Sequence, residues 1–208
     1  DPAAGVLLVP SDHYVENEPA LGRALRVALE RVEAVPDEVI LLGITPDAPE
    51  TEYGWILPTP GRLVLSRVEA FVEKPSQASA LSLQESGALW NSFLIAANGQ
   101  ALLALYAAAL PRLLEVFRSH DLASGEALCR LYEELESHDF SRELLEGAEE
   151  SLRVLRVAEC GWSDLGTPRR LAACLRRRGF VRQEREARAD APFDLTRTLA
   201  LHALASTH

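Results

Sequence analysis

Residues 5–44 read GVLLVPSDHYVENEPALGRALRVALERVEAVPDEVILLGI, and the spacing of apolar residues within this stretch decides the fold. Val6-Leu7-Leu8-Val9 is a short unbroken apolar run, the pattern expected of a strand buried on both faces of a parallel sheet. Pro10 and Ser11 end it. From Ala20 to Val35, residues Leu21, Leu25, Ala28, Leu29 and Val32 recur at helical spacing with Arg and Glu between them. A second apolar run, Val39-Ile40-Leu41-Leu42, follows Pro36-Asp37-Glu38. Strand, helix, strand is a βαβ unit, whose right-handed crossover lays both strands parallel in one sheet. The expected class is α/β.

Beyond this unit, a proline-rich loop from Ile44 to Glu52 leads to Trp55-Ile56-Leu57 and Leu63-Val64-Leu65, a hairpin expected around Pro58, Pro60 and Gly61. Arg67 to Val72 reads as a strand, and Ser76 is placed to cap a helix over Ala78 to Ser86 that stops at Gly87. Leu89 to Ala97 is strand-like around Asn91-Ser92, and Asn98-Gly99 turns the chain into one long helical region through Ala109 and past Pro111 to Phe117. Leu152 to Ala158 reads as a strand and Pro168 to Arg178 as a helix with proline in its first turn. Residues 1–180 are taken as one domain, and residues 181–208 as a charged linker followed by a terminal helix near Asp194 to Leu204.

Bulk composition narrows the function classes. With 31 acidic against 21 basic side chains the formal net charge is -10, a field that opposes non-specific binding to nucleic acid or an anionic membrane. A phosphate ligand then needs local positive charge or a metal. The 3 cysteines, Cys129, Cys160 and Cys174, are spaced for neither a disulfide framework nor zinc, which points to a reducing, cytoplasmic setting. No apolar run approaches the roughly 20 residues that span a bilayer, so the chain is expected to be soluble.

Several segments have residue types suited to chemistry. Pro10-Ser11-Asp12-His13 follows a strand, where open α/β sheets bind ligands, and its carboxylate is able to coordinate Mg²⁺ with positions left for phosphate oxygens. Gly161-Trp162-Ser163-Asp164-Leu165-Gly166 also follows a strand-like run and presents one carboxylate between glycines. Each alone reads equally as a turn, but the two aspartates, far apart in sequence, are expected to converge on one cation. Phe71-Val72-Glu73-Lys74-Pro75 sets an acid and a base side by side at a strand end, against the plainer reading of a surface pair. Asn91-Ser92 interrupts an apolar strand and needs hydrogen-bond partners, from a sugar or from an ordinary kink. Glu52-Tyr53-Gly54-Trp55 combines a glycine that lets a ligand approach backbone with aromatics able to cover a sugar face.

Taken in order, Pro-Ser-Asp-His, Pro-Glu-Thr-x-Tyr-Gly-Trp-Ile, Phe-Val-Glu-Lys-Pro, Trp-Asn-Ser and Gly-Trp-Ser-Asp-Leu-Gly resemble successive motifs of the mannose-1-phosphate guanylyltransferase branch of the sugar-1-phosphate nucleotidyltransferases. The resemblance runs from about Val6 to about Leu171. It implies a Rossmann-like, GT-A-like mixed sheet flanked by helices, seen here without the N-terminal part that carries the family's glycine-rich loop. It implies Asp12 and Asp164 as metal ligands for Mg²⁺ and, with Lys74, as the catalytic set. It further implies that Glu73 and Asn91 bond the sugar, Lys74 meets the sugar phosphate, Gly54 offers its backbone, and Tyr53 and Trp162 belong to the substrate contacts. The implied reaction is transfer of a guanylyl group from GTP to mannose 1-phosphate, giving GDP-mannose and pyrophosphate. UTP or dTTP with glucose 1-phosphate, or a non-catalytic sugar-phosphate-binding subunit, are the alternatives. A homodimer is compatible with the reading, and nucleic acid and membrane are not expected partners.

Three departures from the family pattern stand out. Glu52 lies where the family usually has Gly, Phe93-Leu94 lies where it often has Gly and an apolar residue, and Asp139-Phe140-Ser141-Arg142-Glu143-Leu144 occupies the region of a Ser-x-Asp-Tyr pattern.

Overall fold

A computed structural model describes residues 1–177 apart from Arg62 and Asp121; the expected linker and helix of residues 181–208 lie outside the described residues. The strands are β1 (Gly5–Leu8), β2 (Val39–Ile44), β3 (Gly54–Pro58), β4 (Leu65–Glu73), β5 (Leu89–Asn98) and β6 (Leu152–Arg156). The α-helices are α1 (Glu18–Ala34), α2 (Gln77–Glu85), α3 (Gly99–Ala109), α4 (Pro111–Ser119), α5 (Gly125–Glu134) and α6 (Pro168–Arg177), with a π-helical turn at Ser141–Leu145. The described residues divide into two compact units, one of residues 1–11 and 15–162, the other of residues 12–14 and 163–177. Among the described residues no single helix is long and apolar enough to cross a membrane.

The first unit holds a six-stranded sheet in the order β1-β5-β2-β6-β4-β3, with β3 also pairing β5. The sheet is mixed: β2 and β6 run parallel, whereas β5 is antiparallel to β1, β2 and β3. Alternation along the strands divides the core. On one face Ile40, Leu42, Trp55 and Trp90 pack with Ala28 and Val32 of α1 and Ala80 of α2. On the other, Leu41, Ile56, Phe71, Leu89 and Ile95 pack with Leu105 of α3 and with Leu144 and Leu145 of the π-helical turn.

Local sequence accounts for most element boundaries. Asn17 caps α1 by accepting the Ala20 N–H at 3.1 Å, and Pro19 fits the first turn because no intrahelical N–H is needed there. Ser76 caps α2 by accepting from Ser79 N–H at 3.3 Å, and Gly87 takes φ +80° just beyond it, in line with the sequence reading. At the C-terminal end of α1, Arg31 meets the carboxylate of Glu38 at 2.7 Å, and Arg153 of β6 reaches the same group at 2.9 Å. These bonds hold Glu38 below the usual carboxylate range, the Arg31 hydrogen bond contributing most.

Some expectations are corrected. The first apolar run is not a strand buried on both faces with parallel neighbours: β1 is an edge strand, half-buried, hydrogen-bonded to β5 alone and antiparallel to it. β1 and β2 do share a direction, because both run antiparallel to β5, but β5 lies between them. Leu63 and Val64 do not form the second hairpin strand. They are 72% and 66% exposed, and one longer strand, β4, pairs with β3 instead. The long helix after Asn98 is two helices, α3 and α4, set at 115°. Pro111 explains the break, since it has no N–H to donate and pushes Leu110 out of the helical region to φ −131°, ψ 58°.

Candidate functional site

The sheet brings Gly54, Glu73 and Asn91 together. Gly54 opens β3 opposite Glu73 at the end of β4, and the next residue of β3, Trp55, pairs with Trp90, the neighbour of Asn91. A Cβ added to Gly54 would lie 2.5 Å from Glu73 Oε2, 3.1 Å from Phe71 Cζ and 3.2 Å from Asn91 Cβ. The absent side chain is what leaves room for the Glu73 carboxyl. That Oε2 is buried and, among the described residues, has no hydrogen-bond partner. A buried carboxyl oxygen in this state is costly unless a ligand or water satisfies it.

Around this carboxyl stands a cluster of charge. The Glu73 backbone N–H donates to Glu146 Oε1 at 2.6 Å, across 73 positions of sequence. Burial pushes the Glu73 carboxyl up, the carboxylates of Asp139 and Glu146 add to the shift, and Lys74 and Arg142 oppose it. Lys74 ends the strand in the left-handed region at φ 48° and donates its N–H to Tyr53 O at 3.2 Å. That conformation breaks the strand's alternation directly after Glu73. Glu146, Asp139 and Arg142 are neighbours of Glu73 that the sequence reading misses. The only sequence signal is the departure from the Ser-x-Asp-Tyr pattern in this region.

Asn91 and Ser92 sit at an irregularity of β5. Leu41 pairs with Ile95 while Gly43 pairs with Asn91, so Ser92, Phe93 and Leu94 bulge opposite the single residue Leu42. Ser92 Oγ donates to Leu42 O at 2.6 Å and accepts from Leu94 N–H at 3.3 Å, which satisfies Ser92 within the protein. Asn91 Oδ1 accepts the Phe93 N–H at 3.1 Å. Phe93 holds φ 57° where the resembled pattern often has glycine, and its ring meets Phe140 of the segment before the π-helical turn at 5.4 Å.

Tyr53 and Trp162 do not line this group. Both are buried, at 6% and 8% exposure, in the cluster on the α1 side of the sheet, whereas Phe71 and Leu89, two residues from Glu73 and Asn91, belong to the opposite face. Tyr53 meets Trp90 at 4.9 Å and Trp162 at 5.5 Å within that cluster.

The second unit contains both aspartates. Tyr14 and Ser163 form an antiparallel bridge, with Tyr14 N–H donating to Ser163 O at 2.8 Å and Ser163 N–H to Tyr14 O at 2.9 Å. His13 and Asp164 are therefore adjacent across the bridge. Burial lowers the His13 pKa, against the pull of the Asp12 and Asp164 carboxylates, so both acids lie near one imidazole. Asp164 is held on its own turn: Gly166 N–H donates to Oδ1 at 3.1 Å, Arg170 Nε lies 2.7 Å from Oδ1 and Arg170 Nη2 donates to Oδ2 at 3.0 Å.

Two carboxylates suit Mg²⁺, which prefers hard oxygen, keeps several waters and is commonly bound through one or two carboxylates plus substrate phosphates. Among the described residues no group of three or more His, Cys, Asp or Glu forms an all-protein cage. The donor set of Asp12 and Asp164 fits a cation completed by water and phosphate.

Comparison with known proteins agrees with this architecture. The nucleotidyl transferase family model matches residues 1–177. The alginate biosynthesis protein AlgA of Pseudomonas syringae pv. tomato is 38% identical over 122 residues, covering 56% of this chain and 22% of that protein. Mannose-1-phosphate guanylyltransferase ManC of Salmonella typhimurium is 37% identical over 93 residues, 42% of this chain and 19% of that protein. The chain thus spans about a fifth of the length of these curated relatives. Among solved structures, one described as a mannose-1-phosphate geranyltransferase from Thermus thermophilus superposes with TM-score 0.67 at 33% identity, covering 78% of this chain and 47% of that one. With a family match over most of its length and the same mixed α/β sheet, the chain belongs to the nucleotidyl transferase family.

Proposed function

We propose that the protein carrying this chain transfers a guanylyl group from GTP to mannose 1-phosphate, giving GDP-mannose and pyrophosphate. The observation that carries this reading is the buried, unpartnered Oε2 of Glu73 beside the space above Gly54 and next to Asn91. A sugar hydroxyl is a donor of the right size for that oxygen. The relative named mannose-1-phosphate guanylyltransferase and the Thermus structure with mannose 1-phosphate in its name support mannose as the sugar.

In this reading Glu73 accepts hydrogen bonds from sugar hydroxyls, Asn91 bonds the sugar, the Gly54 backbone lies against it, and Lys74 meets the phosphate. An oxygen of the sugar phosphate attacks the α-phosphorus of the nucleotide while the bond to the bridging oxygen breaks and pyrophosphate leaves. No covalent enzyme intermediate is needed, so catalysis rests on alignment and on charge stabilisation. Asp12 and Asp164 would hold Mg²⁺, which when bound supplies positive charge to the triphosphate.

The test is pyrophosphate release by the protein that carries these residues, with GTP, UTP or dTTP crossed against mannose 1-phosphate and glucose 1-phosphate. Turnover fastest with GTP and mannose 1-phosphate is expected. A preference for another pair would move the assignment within the family, and no Mg²⁺-dependent turnover with any pair would defeat it.

A further inference from the structure

Asp164 is proposed above as a cation ligand, yet both of its oxygens are already engaged by one side chain of the same unit. Arg170, in the first turn of α6, lies 2.7 Å from Oδ1 through Nε and donates to Oδ2 at 3.0 Å through Nη2. One hydrogen bond, from Nη2 to Oδ2, and the close charge contact of Nε with Oδ1 engage both oxygens at once. The surroundings are built to it. Arg170 is anchored by its backbone N–H to Thr167 Oγ1 at 3.2 Å, and Gly166 N–H donates to Asp164 Oδ1 at 3.1 Å. A Cβ on Gly166 would lie 2.7 Å from Asp164 Oδ2 and 3.0 Å from Arg170 Nη2, so the ion pair occupies the room that the glycine leaves. Side-chain exposures of 16% for Arg170 and 21% for Asp164 place the pair largely out of solvent, where it is screened less than a surface pair.

A divalent cation and a guanidinium cannot share this carboxylate without strong repulsion between their charges. We propose that Arg170 is the resident counter-cation of Asp164 and competes with a divalent cation for the same oxygens, so that cation entry is coupled to release of Arg170. The proposal rests on Asp164 being a cation ligand. The apparent affinity for the cation is then the intrinsic affinity reduced by the fraction of molecules in which Arg170 has let go.

Binding of Mn²⁺ to the 208-residue chain, followed by the electron paramagnetic resonance signal of the free ion, tests it without reference to turnover. Arg170→Leu keeps much of the apolar stem and removes the fork, and should bind Mn²⁺ roughly 2- to 5-fold more tightly than the wild type. Arg170→Lys, which retains charge but not the two-pronged geometry, should lie between them. Arg169→Leu, the loss of an adjacent exposed charge, should change affinity far less, which separates competition from a general change of field. Asp164→Asn should bind Mn²⁺ at least about 10-fold more weakly. If Asp164→Asn weakens binding but neither Arg170 variant tightens it beyond Arg169→Leu, the competition is wrong while the ligand assignment stands. If Asp164→Asn binds as the wild type does, the ligand assignment itself fails. Thermal unfolding of each variant identifies any that does not fold, and Arg170→Lys then carries the comparison.

Discussion

Replacing Gly54 by Ala is a small change whose consequence for sugar binding and for stability should differ. The new Cβ would stand 2.5 Å from Glu73 Oε2, where carbon and oxygen normally keep about 3.3 Å, so the carboxyl must retreat by about 0.8 Å. A reacting or binding group displaced by about 1 Å is able to lose on the order of 100-fold, so mannose 1-phosphate affinity should fall at least about 10-fold. Stability should change little. Crowding against Phe71 Cζ at 3.1 Å and Asn91 Cβ at 3.2 Å costs about 1–3 kcal/mol, while the lost backbone freedom of the unfolded chain returns about 0.4–1 kcal/mol. The net cost of about 0–2.6 kcal/mol corresponds to a Tm drop of less than about 10 °C. Calorimetric titration of mannose 1-phosphate in the presence of Mg²⁺, with a thermal melt of the same sample, reads both. A Gly54→Ala protein that melts near the wild type and binds the sugar phosphate equally well would refute the placement of the sugar over this glycine.

Other consequences are equally specific. Glu146→Ala removes the acceptor of the Glu73 N–H and should weaken sugar-phosphate binding several-fold, whereas Glu146→Gln, which can still accept, should restore most of it. Ser92→Ala empties a buried position that donates at 2.6 Å to Leu42 O, and should cost about 1–2 kcal/mol in chemical denaturation. Glu38→Gln should cost about 1–2 kcal/mol near neutral pH, discounted because Arg31 is 39% exposed. Because Glu38 is held below its unfolded value, its contribution is present above the ordinary carboxylate pKa of about 4.3 and fades as pH falls through and below it. The stability difference between Glu38→Gln and the wild type should therefore shrink in acid denaturation experiments below about pH 4.

Local features are legible in the sequence, and long-range ones are not. Ser76, Gly87 and Pro168 punctuate helices through bonds or dihedral limits set within a few residues, so their elements fall where the sequence places them. The neighbours of a strand are a different matter. Val6 to Val9 has the composition of an interior strand, yet Val9 is 55% exposed and β1 lies at an edge, because β5 is long enough to pair on both sides. Gly54, Glu73 and Asn91 each stand out separately in the sequence, and only the pairing of β3 with both β4 and β5 brings them into one place. Tyr53 and Trp162 carry an ambiguous signal, since an aromatic ring serves equally to stack on a sugar and to fill a core. Glu146 and Arg170 give no signal by type, because an acid or a base on a polar surface is ordinary until its partner is known.

In the proposed reaction the Glu73 carboxyl receives the hydroxyls of the sugar phosphate. Calorimetric titration of mannose 1-phosphate into the wild type and Glu73→Gln, with Mg²⁺ present, tests it most directly. The wild type should bind measurably and the variant at least about 10-fold more weakly, because it keeps the shape but exchanges a carboxylate for an amide. Equal affinity in the two folded proteins would contradict it.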